Sequence, residues 1–447
     1  MLAGAAAAAA PATVYISPTG HDSRDGLTRE HALHTFAKAF SLLAPGGTLV
    51  LLDGDYAEAA GTGSIDLKGP HDGQPPSGAS DAQPTRIVAE TPGGAVLREP
   101  LVLGARKHKI ERVELRGLKV LAHASLYNTR RVTLKDMAFG AGLSIGTNDH
   151  DEGNTDDLVE DSWVWAAGER GIAVNYRAHR SVWRRVVVRG DGCGKPACHG
   201  DGNPNIGFTV YDSHDVSVQN VVVVDRVLLP GDAGYADFAA ASHTGGLYTF
   251  GRNEWLGTLS LHGPDIGYYF EPDLGTVEAP TVRIVDAIAW DETSGGFNLA
   301  RAGTGNVVER ITASTRAGDG VRIAPELGAQ GTLRQAKVSG SGRFAVNSAY
   351  APQQVRVSGN WREGAFNQTR GSNSASEGGA HLQRYGIDGR HHGEPGFDAP
   401  SAAPLWPWPN EARLRADLCA TTTRGLCAPS VASFSAYLQA ALAEAAR

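Results

Sequence analysis

A short unit recurs along most of this chain. VTLKDMAF from Val132, LVEDSWVW from Leu158, VWRRVVV from Val182 and VSVQNVVV from Val216 each set two brief β-prone runs around a bend residue. VRIVDAIAW from Val282, VVERITA from Val307, TLRQAKV from Thr332 and VRVSGNW from Val355 repeat the pattern. The bends fall at Asp136, Asp161, Arg185, Asn220, Asp286, Arg310, Gln335 and Gly359. In the second half they lie 24 or 25 residues apart; the first half keeps that step, with insertions around Gly190 and Ala233. A second series interleaves with the first: LSIGT (Leu143), GIAVNY (Gly171), GFTVYD (Gly207), GLYTF (Gly246), GYYFE (Gly267), GFNLA (Gly296), GVRIA (Gly320) and FAVNS (Phe344). Most of these alternate apolar and polar, as a strand with one buried face does.

A turn of about three strands cannot bury its own apolar face, and stacking successive turns does. The pattern predicts a parallel β-helix, each turn adding a rung of about 4.8 Å. Stacked polar bends would satisfy the backbone groups that the corners leave open. No Leu/Asn consensus or Trp-Asp signature supports a leucine-rich or propeller repeat. The rod's ends need covers, because exposed strand edges template aggregation. Leu33, Phe36, Ala37, Phe40 and Leu43 have helix spacing and predict the front cap. At the back, PLWPWPNEARLRADLC from Pro404 and SVASFSAYLQAALAEAA from Ser430 read as two short helices.

The first 12 residues, MLAGAAAAAAPA, read as a signal-peptide remnant or disordered tail. Residues 13–100 read as the cap and first turns, 101–361 as the β-helix, 362–404 as a loop or linker, and 405–447 as a helical segment with a disulfide. No run is long and apolar enough to span a membrane. The net charge of −7 argues against a nucleic-acid partner. Four cysteines fall in two close pairs, Cys193/Cys198 and Cys419/Cys427, which fits two disulfides in an oxidising compartment and an exported chain. A zinc site from Cys193, Cys198 and His199 has a legal spacing but lacks a second Cys/His pair nearby.

VYISPTGHDSRDG (Val14 to Gly26), the helix and APGGTLVLLDGDY together resemble the opening of exported right-handed parallel β-helix proteins. PTRIVAETPGGAVL, from Pro84, is similar to the strand that follows in them. This pectate-lyase-like superfamily includes pectate and alginate lyases and related polysaccharide-active enzymes. The resemblance covers the first hundred residues by motif and Glu111 to Trp361 by repeat, and no specific family is matched. NTDD at Asn154 and HGDG at His199 echo fragments of the polygalacturonase pattern, but its closing Arg-Ile-Lys is absent.

The resemblance implies an all-β, right-handed parallel β-helix with an N-terminal capping helix and a helical C-terminal segment. It also implies that the second strand series floors a substrate groove. Alternation places Ile172, Val174, Phe208, Val210, Phe270, Phe297, Leu299, Val321 and Ile323 inward. Outward it places Asn175, Tyr211, Tyr248, Tyr269, Glu271, Asn298, Arg322 and Asn347. Aromatics offer flat platforms for sugar rings, and Arg and Asn offer directed hydrogen bonds. The stapled loop GDGCGKPACHGDGN would lift His199 and Asp201 over that floor, and His243 closes the neighbouring insertion.

The expected catalytic residues are His199, Tyr269, Glu271 and Arg322. The expected substrate-binding residues are Asn175, Tyr211, Tyr248, Asn298, Arg301 and His243. Asp201, Glu271 and Asp273 are the candidate ligands if calcium takes part. The functional expectation is an exported, monomeric polysaccharide lyase acting on a uronic-acid glycan. A glycoside hydrolase, a glycan epimerase and a non-catalytic glycan-binding rod remain open.

Overall fold

The computed structural model describes residues 13–146, 153–167, 172–192, 194–195, 204–243, 252–271, 281–299, 306–323, 331–348, 367–369 and 382–446. The described strands form a 21-stranded, an 11-stranded and a 4-stranded sheet. Nearly all of their pairings are parallel, each strand lying on its counterpart one turn later in the chain. This is a parallel β-helix, as the repeat predicts.

The large sheet comprises two lateral ladders meeting at the bend. Ladder 1 holds the first half of each bend unit, for example Thr133–Lys135, Ser217–Gln219 and Thr281–Val285. Ladder 2 holds the second half, for example Val222–Val224 and Ile288–Glu292. Ladder 3 is the 11-stranded sheet and contains the second series, including Ala173–Tyr176, Asn205–Tyr211, Asp237–His243, Ile266–Glu271, Gly295–Leu299 and Asp319–Ile323. Its last strand, Asn367–Thr369, pairs antiparallel to Val346–Ser348 and occupies an edge the stack would otherwise expose.

Seven of the expected bends, Asp136, Asp161, Arg185, Asn220, Asp286, Arg310 and Gln335, all have φ between 49° and 56°. Gly359 lies outside the described residues. A non-glycine residue pays roughly 1–2 kcal/mol for this left-handed backbone, and here cross-rung contacts offset the cost. Arg185 makes a two-pronged contact with Asp161 at 2.5 and 3.0 Å, and Arg310 with Asp286 at 2.7 and 3.2 Å. Asn220 donates to the Gly257 carbonyl at 3.2 Å.

The rod interior is filled by rung-stacked aromatics. Phe208 meets Trp183 and Trp255 edge-on at 5.1 and 5.5 Å, and Tyr268 stacks on Phe297 at 4.7 Å. The glycines opening GYYFE, GFNLA and GVRIA lie where successive rungs come closest. A Cβ on Gly296 would sit 2.4 Å from the Gly320 carbonyl oxygen. Buried acids accompany this core. Asp157 accepts from Thr129 and from the Val132 amide, and burial pushes it up to about 7. Glu292 accepts from the Ser260 hydroxyl at 2.6 Å, and burial raises it to about 8.

Helix α1 (Phe36–Leu42) caps the front. Thr35 is its N-cap, itself held by the Asp22 carboxylate, and Phe36 packs on Tyr56. At the back, residues 382–404 run as an irregular strap over the outer face of ladder 1. Gln383, Tyr385, Ile387, Gly389 and Phe397 meet Asn220, Asp286, Arg184, Glu160 and Gln219 there. Helices α2 (Glu411–Leu418) and α3 (Phe434–Ala446) cover ladder 2, burying Leu414, Phe434 and Leu438 against Val224, Leu261, Ile288 and Trp290. The expected Cys419–Cys427 disulfide closes a loop within the segment between them. Cys193 and Cys198 lie outside the described residues.

Two stability outcomes follow from the corners and the buried acids. Asp286→Ala removes one of the two carboxylates on Arg310 and the acceptor of the Tyr385 hydroxyl, and places alanine at φ 56°; it should cost about 2–4 kcal/mol in chemical denaturation. Asp286→Asn, which tolerates that backbone and still accepts hydrogen bonds, should cost less. Glu292 titrates higher in the folded chain than in the unfolded one. Its contribution is therefore complete below the unfolded value and is lost as pH rises through about 8. Glu292→Gln should show a smaller fall in thermal midpoint from pH 5 to pH 9 than the parent; an unchanged fall would remove Glu292 as a cause.

Candidate functional site

Because the strap covers ladder 1 and the helices cover ladder 2, the outer face of ladder 3 is the candidate site. Register sets three columns on it. The middle column runs Val174, Thr209, Ala241, Tyr269, Asn298, Arg322 and Asn347, one residue per rung. Two residues further along each strand stand Tyr176, Tyr211, His243 and Glu271, also in register. On the other side lie Ile206, Phe238 and Ile266. An apolar strip, a polar strip and an ionisable strip thus run side by side along the rod.

Each strip follows from alternation. In YYFE, Tyr268 and Phe270 are buried in the core, which turns Tyr269 outward. Its ring stacks on Phe238 at 4.1 Å with the planes 2° apart, so the apolar strip fixes the aromatic of the polar one. Tyr176 and Tyr211 pack at 5.1 Å, and the Arg177 guanidinium lies 5.1 Å over the Tyr176 ring. Arg322 is exposed and has no ion pair among the described residues, whereas Asn347 donates to Asp319 at 3.0 Å. Below the floor, Arg226 and Asp237 form a buried pair at 2.5 and 3.0 Å that anchors the start of the Asp237–His243 strand.

Two polar atoms on the middle column have no hydrogen-bond partner among the described residues. The Thr209 hydroxyl and the Asn298 side-chain carbonyl are buried and unsatisfied, although their residues are only 6% and 9% exposed. Such groups cost free energy unless something pairs with them. They stand three rungs apart, about 14 Å, with Tyr269 between them.

The structure brings Tyr211, Tyr269, Asn298 and Arg322 onto one face, as alternation predicts. His243 and Glu271 hold register positions on the same face; their side chains lie outside the described set. His199, Asp201, Tyr248, Asp273 and Arg301 lie outside the described residues. Among the described residues no cluster of three or more His, Cys, Asp or Glu is placed to hold a metal.

Asn175 is a correction. It is fully buried, donates to the Ala178 carbonyl and the Ser213 hydroxyl, and accepts from the Trp183 indole at 3.1 Å. Its strand sits one residue out of step with an alignment of Gly171 on Gly207, because Ala173, not Ile172, pairs with Phe208. That slip turns Val174 outward and Asn175 inward. It also hides Tyr176, which belongs to the ionisable column. Matching YRAH (176–179) to YDSH (211–214) would have found the register, since both Tyr176/Tyr211 and His179/His214 stack.

No family model matches the chain, and no curated protein matches it. Among solved structures it is similar to pectate lyase Pel9A, with 15% identity, 77% of this chain and 78% of that chain covered, and a TM-score of 0.44. A rhamnogalacturonan lyase shows 11% identity, coverage of 76% and 86%, and a TM-score of 0.42. The GH136 lacto-N-biosidase from Eubacterium ramulus shows 11% identity, coverage of 73% and 67%, and a TM-score of 0.42. The fold stands on the chain's own strand register, and these likenesses add nothing about its chemistry.

Replacing an unpaired buried hydroxyl by a methyl removes a desolvation cost without losing a bond. Thr209→Val should therefore leave the thermal midpoint unchanged or raise it. A clear drop would show that the hydroxyl has a structural partner.

Proposed function

We propose that this chain is an exported polysaccharide lyase that seats an acidic glycan along ladder 3 and cleaves it by β-elimination. The observation that carries the reading is the pair of unsatisfied buried atoms, on Thr209 and Asn298, flanking Tyr269 on the face that neither the strap nor the C-terminal helices cover. An extended polymer repeats its hydroxyls along its length, and a column with one residue per rung offers matching partners. The aromatic strip supplies a surface for the apolar faces of sugar rings. The Cys419–Cys427 bond suits an oxidising compartment.

Elimination removes the proton α to the uronate carboxylate, forms the ring double bond and expels the β oxygen. Negative charge builds on the carboxylate as the proton leaves, so a fixed cation there lowers the barrier. Arg322, exposed and without an ion pair among the described residues, stands two rungs beyond Tyr269 and is assigned that role. Tyr269 is assigned as the proton acceptor, and Glu271 or His199 as the donor to the departing oxygen. Asn298, Tyr211, Tyr248, His243 and Arg301 are assigned to holding the chain, with Asp201 and Asp273 beside Glu271 if a calcium ion shares the carboxylate.

The test is incubation with uronic-acid and neutral glycans. Absorbance from unsaturated uronate ends supports elimination; new reducing ends without it indicate hydrolysis, and binding without products indicates a non-catalytic rod. Tyr269→Phe should lower kcat at least 100-fold, in line with loss of general base catalysis. Arg322→Ala should lower kcat/KM about 10- to 100-fold. Full activity in either variant would remove that residue from the mechanism.

A further inference from the structure

On the opposite side of the rod, a cavity of about 430 Å³ lies between the outer face of ladder 1 and the strap. That volume falls within the roughly 300–1,000 Å³ typical of small-molecule sites. Its floor is built at rung spacing: Arg86, Glu114 and Thr133 stand in one column, and Arg116 and Lys135 in the next. Arg112 and Arg131 line one side, and His391 and Glu394 of the strap line the other. We propose that this cavity binds a small hydrophilic molecule bearing carboxylate, sulfate or phosphate groups, separately from the ladder 3 face.

Charge carries the argument. Five cationic side chains line the cavity against four carboxylates, and two of those carboxylates are already saturated. Asp81 takes both Arg112 and Arg131, each at 2.9 Å. Glu160 takes Lys135 at 2.7 Å, contacts Arg184 and Arg185 behind the cavity, and accepts the Gly389 amide. Among the described residues Glu114 reaches only Arg86, at 3.6 Å, without a hydrogen bond. Arg116 is exposed and makes no hydrogen bond or ion pair with a described residue. Arg116 offers the planar, two-pronged donors that oxyanions accept, and Arg86, Arg112 and Arg131, which already meet Glu114, Asp81, Glu111 and Glu394, surround the same space with positive charge.

The remaining lining sets the rest of the ligand's character. Only Ala82, Pro84 and Val113 are apolar, and no Phe, Tyr or Trp lines the cavity. A flat aromatic ligand would find no stacking surface, whereas a hydroxyl-rich one would find polar partners. The strap supplies a fixed wall, because the His391 ring meets the Thr133 hydroxyl at 3.1 Å. Burial holds His391 below its usual range, so near neutral pH it is an uncharged hydrogen-bonding group.

The experiment is calorimetric titration of the full chain with a uronate dimer, inorganic sulfate, inorganic phosphate and a neutral disaccharide. It is run in the parent, in Arg322→Ala and in Arg116→Ala. Arg322→Ala removes the carboxylate clamp proposed on ladder 3, so binding that survives it belongs elsewhere. Arg116→Ala strands no carboxylate, and an unchanged thermal midpoint verifies its fold. The expected result is an anion-binding event that persists in Arg322→Ala, weakens at least 10-fold in Arg116→Ala, falls with added salt, and is absent for the neutral disaccharide. If only the inorganic ions show it, the shared oxyanion chemistry holds and the ligand is a free ion; if the dimer binds tighter, it is an acidic sugar. Equal binding by the neutral disaccharide, parental affinity in Arg116→Ala, or loss confined to Arg322→Ala would overturn the proposal.

Discussion

The corner residues are the constraint on which the rest depends. Each turn changes direction through residues held in left-handed backbone, and three corners of the rod use non-glycine residues for it. Asp161 and Arg185 do so between ladders 1 and 2, Asp225, His262 and Asp291 after ladder 2, and Asp156, Arg180 and Asp215 before ladder 1. Glycine would make such corners cheaply but would contribute nothing across rungs. Acids and arginines instead pair with the rung above or below, as Arg180 does with Asp156 and Arg316 with Asp291. Corner and stacking are thus one interaction, and a rung that slipped would lose both its turn and its ion pair.

Stacked rungs alone leave all three faces alike, and the C-terminal segment breaks that equivalence. The strap and helices fasten to rungs spread along the rod: Asp417 holds Lys119, Arg413 holds Asp136, Tyr437 reaches Asp225, and the Ala445 carbonyl takes Lys337. In a solenoid each repeat contacts mainly its neighbours, so stability accumulates locally. A splint that touches distant rungs couples them and resists fraying. It also occupies two of the three faces, those of ladders 1 and 2.

How much was legible follows from the same physics. The bends could be read because a polar residue recurred at a fixed step between β-branched runs, and all seven described ones adopt the left-handed backbone. Inward Phe208, Val210, Phe270, Phe297, Leu299, Val321 and Ile323 could be read from alternation, and all are buried. Asn175 could not, because period-2 patterning is blind to a one-residue shift unless a second marker fixes the register. Nor could the strap: its Gly- and Pro-rich sequence has no periodicity, and it is ordered by contacts to the bend residues Asp286 and Asn220, 99 to 165 positions away. The charged cavity beneath it was invisible for that reason.

Unpaired buried polar atoms occur in the scaffold as well as on ladder 3, among them one nitrogen of Arg185 and two of Arg413. On the splinted faces, buried charges are met by partners from the strap, as Asp286 is by Tyr385 and Glu160 by the Gly389 amide. On ladder 3 the Thr209 hydroxyl and Asn298 carbonyl stay buried without one. Arg185 and Arg413 are otherwise held, by Asp161 and Asp136, whereas the hydroxyl is the whole polar part of the Thr209 side chain. It shares a column with Asn298, Tyr269 and Arg322, and that shared column is what the proposed ligand would complete.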